Sequence, residues 1–205
     1  MKPAKTTSRT EQLTIESRSA LARLAAAENI NVEHSTTVET AMFNVESRTL
    51  ILPLWDGMTK PTYDMLTFHE VGHALFTPSD LDVIANAVDY LTDGNNALAP
   101  IAQSYLNVVE DPRIEKLIKR QFPGSRKDFT AGYDHMHNSL NLFEVKDRDV
   151  NAMRLIDKVN LHFKIGWLLP ELDFTATEMG YLTTIAKAES FADVVAIAKV
   201  LFDLE

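Results

Sequence analysis

Cysteine is absent from this chain of 205 residues, which removes several kinds of site from consideration. Without thiols the chain forms no disulfide framework, no cysteine-ligated zinc site and no iron–sulfur cluster. Any metal that it binds must be held by histidine, aspartate and glutamate side chains. A chain without cysteine also fits a reducing compartment, and we expect a protein of the cytoplasm or of an assembled particle.

Positive charge and long apolar runs are scarce as well. The chain has 20 Lys and Arg against 29 Asp and Glu, which gives a net charge of -9. This balance argues against nucleic-acid binding, because attraction to phosphates needs a cationic surface. No stretch approaches the roughly 20 apolar residues of a membrane span, and residues 1–28 lack the apolar core of a secretory signal. We therefore expect a soluble protein without a nucleic-acid or membrane partner.

Length and composition fit one domain. The apolar fraction of 45% is ordinary for a globular protein and is enough to bury a core without disulfides. We predict one domain over residues 1–205, with the chemistry in residues 1–145 and a helical extension in residues 146–205. The apolar pattern stops abruptly at Leu204 and Glu205, which is consistent with a natural chain that is longer.

The first half of the chain is predicted to combine helices with a short extended region. An amphipathic pattern predicts a helix over Thr10–Ala27, and a polar connection follows over Asn29–Ser35. Strand-forming side chains predict extended structure over Thr37–Leu54, with a turn at Glu46–Arg48. The next helix is expected over Thr62–Phe76.

The second half is predicted to be helical. One helix begins at Ser79, and another runs over Leu98–Phe122 with a kink or break near Pro112. Capping residues and apolar stripes predict three further helices, which we interpret as scaffold without chemistry: Val150–Trp167, Thr175–Ala188 and one that begins at Ser190. The predicted fold class is therefore α+β and mostly helical, with a small sheet beside the helix Thr62–Phe76.

The segment Met65–Phe76 contains the pattern His-Glu-x-x-His. Residues four apart lie on one face of a helix, so the imidazoles of His69 and His73 can bind one ion at about 2.0–2.1 Å. Glu70 lies about 100° around the helix, where its carboxylate can contact a zinc-bound water rather than the metal. The histidines interrupt an apolar stripe, and a shared metal would give both of them a partner. The alternative is a pair of core histidines that are hydrogen-bonded to backbone carbonyls.

A zinc site of this type needs a third protein ligand and leaves a fourth position open for water. The favoured ligand is Glu110, which lies on the apolar side of the predicted helix Leu98–Phe122. A carboxylate without a partner would be costly there, and a metal would compensate its charge. Asp111 and Glu115 are the competing ligands, and an ion pair between Glu110 and Arg113 is the alternative without a metal.

Two motifs carry a resemblance to a known family, HEVGHALFT at residues 69–77 and NVVEDPRIE at residues 107–115. They resemble the zincin-type metallopeptidase domains found in some phage proteins and the zincin-like regions next to von Willebrand A domains, including those of the large cobaltochelatase subunit group. In such gluzincin-like domains a downstream helix supplies a glutamate ligand, which implies the set His69, His73 and Glu110. The resemblance also implies a zinc cofactor, and a location in the host cytoplasm or a virion if a phage encodes the chain.

One position departs from the pattern of thermolysin-like enzymes. Those enzymes carry an aspartate four residues after the glutamate ligand, which orients one histidine, and Ile114 stands there in this chain. Because such partners matter for metal affinity, we consider Asp111, Asp89 and Asp93 as substitutes. The extended region Thr37–Leu54 fits the family, since zincins line their cleft with a strand whose free edge pairs with a peptide. An ordinary hairpin packed on the helices explains that region equally well.

Two further clusters have simpler interpretations. Tyr133, His135 and His137 are candidates to stabilise the oxyanion of a tetrahedral intermediate, and the two histidines to bind a second metal, but we favour a polar surface loop. Basic residues near the second motif form a patch in an acidic protein, and we favour a solvated helix face over contact with an acidic partner. These residues are Lys116, Lys119, Arg120, Arg126 and Lys127.

These observations predict zinc-dependent hydrolysis of a peptide bond in a peptide or protein substrate, with a zinc-activated water and Glu70 as general base. The alternative is a non-catalytic zinc module that binds a protein partner in a larger assembly, such as a virion or an ATPase-linked complex. The missing aspartate at Ile114 motivates this alternative. A helical scaffold without a metal is the third interpretation.

Overall fold

The structure, a computed structural model, describes Arg18, Ala22, Arg23 and residues 30–38, 40–44 and 46–204. Apart from those first three residues, the helix predicted over Thr10–Ala27 lies outside this part of the chain. Within the described part the fold is α+β and mostly helical, with one three-stranded sheet and seven α-helices, which confirms the predicted class. None of these helices combines the length and the apolar character that a membrane crossing requires.

Three strands form the sheet in the order β1-β3-β2: β1 (Asn31–Ser35), β2 (Met42–Asn44) and β3 (Thr49–Pro53). β2 and β3 form an antiparallel hairpin around the predicted turn. The assignment of Asn29–Ser35 to a polar connection is wrong, because β1 pairs in parallel with β3, with Asn31 opposite Thr49. The segment has little apolar signal because Asn31 and Glu33 are exposed, and a parallel partner leaves no turn to recognise.

Seven α-helices follow the sheet: α1 (Lys60–Phe76), α2 (Leu81–Thr92), α3 (Ala99–Gln121), α4 (Arg126–Asn138), α5 (Leu155–Ile165), α6 (Ala176–Lys187) and α7 (Phe191–Phe202). The hydroxyl of Thr59 accepts the first hydrogen bond of α1, and Pro61 occupies its first turn, where a missing N–H costs nothing. Capping boxes begin α6 at Thr175 and α7 at Ser190, as the sequence predicts. The strands β2 and β3 pack against α1.

Three boundaries differ from the sequence prediction. The residue that caps α2 is Asp80 rather than Ser79. Helix α3 continues through Pro112 without a break. The helix predicted over Val150–Trp167 is reduced to α5, and short 3-10 turns flank it at residues 150–152 and 166–168. The predicted helix is too long because the backbone of Met153 is extended between the first 3-10 turn and α5.

Helix α4 is absent from the sequence prediction. The interpretation of Tyr133–His137 as a polar surface loop is wrong, since this segment is the C-terminal half of α4. Its buried side combines two aromatic rings, a glycine and a histidine, so the aliphatic signal of a helix is weak. Gly132 lets α4 pack directly on α1, because a Cβ at this position would lie 2.8 Å from Cβ of Met65.

Helix α3 belongs to two apolar clusters. Towards its C-terminus Ile118 packs with the sheet, α1 and α4. Towards its N-terminus Val109 packs with α2, α5, α6 and α7. Between these two residues lie four buried charged side chains, which need partners because burial disfavours their charged forms. They are Glu110, Asp111, Arg113 and Glu115.

Candidate metal centre

Helices α1 and α3 approach each other closely at Gly72. A Cβ at this position would lie 3.0 Å from Cδ1 of Ile114 and 3.5 Å from its carbonyl oxygen. Glycine within a helix costs about 1 kcal/mol relative to alanine, and here the missing side chain permits the close contact. This contact brings the four buried charged side chains of α3 close to the histidines of α1.

His69, His73 and Asp111 meet between α1 and α3. Nε2 of His73 lies 3.3 Å from Oδ1 of Asp111, and Nε2 of His69 lies 3.6 Å from the same oxygen. One potential ligand atom of each residue lies within 4.8 Å of the other two. In a tetrahedral site with bonds of about 2.0–2.1 Å, ligand atoms are separated by about 3.4 Å. The two distances to Oδ1 of Asp111 are therefore close to the separation of ligand atoms around one cation.

The second nitrogen of each imidazole is held by a hydrogen bond. Nδ1 of His73 lies 3.0 Å from the hydroxyl of Thr77, and Nδ1 of His69 lies 3.2 Å from Oε1 of Glu115. Imidazoles that bind a metal donate their other N–H to such acceptors, which fixes the ring and its tautomer. In the neutral tautomer that carries its proton on Nδ1, each imidazole directs the lone pair of Nε2 towards Asp111.

Glu115 is the carboxylate that orients His69. It is buried, it accepts a hydrogen bond from the hydroxyl of Tyr133, and it forms an ion pair with Lys119 at 2.7 Å. Burial alone would raise the pKa of Glu115, but the hydrogen bond with His69 and the charge of Lys119 lower it below its ordinary value. The carboxylate therefore stays ionised and can continue to accept a hydrogen bond from the imidazole.

Asp89 and Asp93, which the sequence analysis considers as orienting residues, lie at the C-terminal end of α2. The carboxylate of Asp93 forms an ion pair with Lys199 at 3.0 Å. Ile114, at the position where thermolysin-like enzymes carry the aspartate, packs against Gly72. The carboxylate that contacts His69 is instead Glu115, the next residue on α3 and one of the competing ligands of the sequence prediction.

Glu110, the ligand expected from the sequence, belongs to a different set of contacts. Its carboxylate accepts hydrogen bonds from Arg113, at 2.7 Å from Nε and 2.6 Å from Nη2, and from the hydroxyl of Thr77 at 2.7 Å. Glu110 thus forms the ion pair with Arg113 that was the alternative without a metal, and Asp111, one of the competing ligands, lies beside the histidines. One step along a helix turns the side chain by about 100°. Glu110 still supports His73, because Thr77 links the two side chains.

Asp111 also contacts a lysine that neither motif contains. Nζ of Lys164, on α5, lies 2.9 Å from Oδ2 of Asp111. Burial opposes the charge of Asp111, but Lys164 and His69 hold its pKa well below the ordinary value. Burial would likewise lower the pKa of His69, but the charge of Asp111 and the hydrogen bond with Glu115 raise it to about 9. The last third of the chain therefore contributes to the electrostatics of this cluster, contrary to its interpretation as pure scaffold.

Glu70 lies on α1 next to His69 and is only 7% exposed. Burial raises the pKa of Glu70, and the nearby charges of His69, His73 and Lys164 offset part of this rise. In the described part of the chain, no hydrogen bond or ion pair holds its carboxylate. Because a buried carboxylate without a partner is costly, a water molecule at the site would stabilise it.

The three oxyanion candidates of the sequence analysis lie on α4. Burial raises the pKa of Tyr133 well above its ordinary value, and its hydroxyl donates to Glu115. Nε2 of His135 lies 3.0 Å from the carbonyl oxygen of Gly57, and His137 is buried. Among the described residues, neither histidine belongs to a cluster of three potential metal ligands. Tyr133 thus supports Glu115, and His135 bonds to the backbone.

No protein-family model, curated protein or solved structure matches this chain. The resemblance to zincin domains accordingly depends on the two motifs at residues 69–77 and 107–115. Any function assigned to the chain must therefore be argued from the chemistry of its own side chains.

Proposed function

We propose that this chain is a zinc-dependent metallopeptidase domain, in which His69, His73 and Asp111 hold the metal and Glu70 is the general base. The convergence of two Nε2 atoms on Oδ1 of Asp111, at 3.3 and 3.6 Å, carries the proposal. These distances exceed the roughly 2.7–2.9 Å that is typical of charge-assisted hydrogen bonds. They match the spacing of ligands around a cation better than direct bonds between the three groups.

The donor set favours zinc over the other common divalent cations. Two imidazoles with one carboxylate suit zinc, whereas magnesium and calcium prefer oxygen ligands. Iron(II) binds the same donor set in oxygenases, so the metal must be identified by analysis. Three protein ligands leave a coordination position open, as catalytic zinc sites require. Solvent reaches the site, since the side chains of His69 and His73 are 14% and 22% exposed.

The residues around the ligands suit hydrolysis. Zinc bound there would polarise the scissile carbonyl and lower the pKa of water to about 7. Glu70 takes the proton of the attacking water and returns it to the leaving amine. Burial raises the pKa of Glu70, which suits a group that must hold a proton during the reaction. Glu115 and Thr77 keep His69 and His73 oriented throughout.

A non-catalytic zinc module that binds a protein partner is the second candidate. One observation favours it: the ligands come from both α1 and α3, so a metal would also join two helices. Zinc that serves only to stabilise the fold is essential for folding. A structural role gives no reason for the buried carboxylate of Glu70, which has no partner among the described residues. For this reason we prefer the hydrolase.

The test compares Glu70→Gln with His73→Ala and with the control Glu171→Gln. Zinc and iron are measured by atomic emission, and hydrolysis is measured with a quenched fluorescent protein substrate. We expect Glu70→Gln to keep one zinc per chain while hydrolysis falls by about a hundredfold or more, the usual contribution of a general base. His73→Ala should lose the metal. Glu171→Gln removes the same charge at an exposed position and should change neither quantity.

Unchanged hydrolysis by Glu70→Gln would remove Glu70 from the mechanism. Treatment with a chelator then separates the two candidate functions. A hydrolase should lose activity while its circular dichroism spectrum stays largely the same, whereas a structural zinc module should unfold. Iron in place of zinc at full occupancy would contradict the proposed cofactor.

A further inference from the structure

A cavity of about 290 Å³ lies between α3 and α5, next to the candidate metal centre. Asp111 and Glu115 are part of its wall, and neither metal-binding histidine is. A second cavity of about 210 Å³ adjoins it and shares Lys119, Arg126 and Phe163. Five cationic side chains line the larger cavity: Lys116, Lys119, Arg120, Arg126 and Lys164.

Four of these five residues belong to the basic patch that the sequence analysis interprets as a solvated helix face. They face a concave surface beside the candidate metal centre, so that interpretation is incomplete. Lys127, the remaining member of the patch, is exposed and lines neither cavity.

The carboxylates around the larger cavity balance only part of its positive charge. Asp111 is paired with Lys164 at 2.9 Å, and Glu115 with Lys119 at 2.7 Å. The carboxylate of Glu189 is shared by two further cations, Lys116 at 3.0 Å and Arg120 at 2.8 Å. Five cations therefore face three carboxylates, two of which also contact the histidines of the metal centre.

Among the residues that the structure describes, Arg126 is the cation of this cavity that has no counter-charge. In the described part of the chain, no hydrogen bond or ion pair holds its guanidinium group, and the residue is exposed. A guanidinium group binds carboxylates through two parallel hydrogen bonds. An unpaired arginine at the rim of a cationic cavity is therefore well placed to receive a carboxylate from another molecule.

We propose that this cavity binds an acidic side chain of the peptide substrate, adjacent to the scissile bond. This proposal rests on the proposed function. Asp111 links the two sites, because one of its oxygens faces the histidines and the other contacts Lys164 in the cavity wall. One peptide residue spans about 3.3–3.6 Å, so we expect the cavity beside Asp111 to receive a side chain of a residue adjacent to the scissile bond.

A peptide side chain suits this cavity better than a nucleic acid. A volume of about 290 Å³ accommodates a carboxylate side chain and its neighbouring atoms. Apolar groups of Val108, Pro112 and Phe163 also line the cavity and can pack on the aliphatic part of a glutamate. A polyanion would also have to approach a protein of net charge -9, which repels long phosphate chains.

The test reverses one charge, with a neighbouring reversal as control. Arg126→Glu changes the rim of both cavities, and Lys127→Glu makes the same change in net charge at an exposed position outside them. Cleavage sites in a proteome-derived peptide library are identified by mass spectrometry. We expect the wild-type protein and Lys127→Glu to favour Asp or Glu adjacent to the cleaved bond. Arg126→Glu should reduce this preference by about tenfold, because repulsion replaces attraction across a partly shielded site.

A binding measurement makes the result independent of turnover. Zinc-loaded Glu70→Gln protein is titrated with a fluorescent octapeptide that contains four glutamates, with its glutamine counterpart and with an eight-nucleotide deoxythymidine strand. The glutamate peptide should bind at least about tenfold more tightly than the glutamine peptide, through charge complementarity of the kind that sets specificity. Adding Arg126→Glu should remove most of that difference, and adding Lys127→Glu should not.

Each outcome bears on a defined claim. Equal effects of the two reversals, or no effect of either, would overturn the acidic-side-chain site. Tighter binding of the nucleotide strand than of the glutamate peptide would overturn it in favour of a nucleic-acid site. Hydrolysis without an acidic preference would refute this inference and leave the peptidase intact. Binding that depends on Arg126, in a protein that hydrolyses nothing, would support the site and refute the peptidase.

Discussion

The choice between Asp111 and Glu110 as the third ligand can be tested with two isosteric substitutions, Asp111→Asn and Glu110→Gln. The two substitutions lie at adjacent positions of α3. Each removes one negative charge and preserves the shape of the side chain. The two carboxylates make different contacts, since Asp111 faces the histidines while Glu110 binds Arg113 and Thr77. The substitutions should therefore affect different properties of the protein.

The expected magnitudes follow from these contacts. Asp111→Asn removes one of three ligands, so zinc affinity should fall by more than the roughly 10–100-fold that is lost with an orienting partner. Glu110 is linked to His73 through Thr77, and Glu110→Gln should weaken zinc binding by about tenfold at most. That change instead leaves the buried guanidinium group of Arg113 without its counter-charge. Breaking a buried ion pair costs about 3–5 kcal/mol of unfolding free energy.

Zinc affinity is the decisive measurement, obtained by competition with a fluorescent chelator. Urea unfolding of the zinc-free proteins provides the second. The unfolding free energy by itself does not distinguish the two variants, because Asp111→Asn also deprives Lys164 of its counter-charge. For a chain of this size, a loss of about 3–5 kcal/mol corresponds to a decrease in Tm of roughly 6–20 °C. A large loss of zinc affinity in Glu110→Gln, with wild-type affinity in Asp111→Asn, would refute the assignment of Asp111.

Three further outcomes follow from the same contacts. Glu115→Gln should lower zinc affinity by about 10–100-fold, because His69 loses the carboxylate that orients it; unchanged affinity in the chelator competition would contradict this. Zinc affinity should rise by about tenfold per pH unit between pH 7 and 9, because the pKa of His69 is raised to about 9 and zinc must displace its proton; a flat profile by calorimetry would argue against it. In the zinc-free protein, the stability contributed by charged His69 should be complete below its ordinary pKa of 6.5 and lost as the pH rises through about 9. Urea unfolding at pH 6 and pH 9.5 measures this loss in the wild-type protein, with His69→Gln as the control.

The part of the site on α1 could be predicted because it depends only on helix geometry. A spacing of four residues places His69 and His73 on one face of any α-helix. The choice of the carboxylate on α3 depends instead on the rotation of that helix about its axis. Apolar residues that mark a buried face normally reveal this rotation. In α3 they do not, because the helix packs against two clusters, and both Glu110 and Asp111 are buried.

Most of the contacts that the sequence did not reveal come from elements distant in the chain. Strand β1 pairs in parallel with β3, and Lys164 reaches Asp111 from α5. Neither contact has a local pattern, since each depends on how separate elements pack together. Thr77 is a partial exception. It directly follows the motif helix and contacts His73 four residues earlier, so its spacing was available in the sequence.

The two carboxylates of α3 connect the candidate metal centre with the cationic cavity. Asp111 lies between the histidines and Lys164, and Glu115 lies between His69 and Lys119. A cation bound by the histidines attracts these carboxylates and weakens their ion pairs with the lysines. The lysines then present more positive charge to the cavity. An anion in the cavity attracts the lysines and likewise weakens these pairs, which leaves the carboxylates to the metal. Since coupling between two binding sites is reciprocal, zinc should tighten the binding of an acidic peptide by the same factor by which that peptide tightens the binding of zinc.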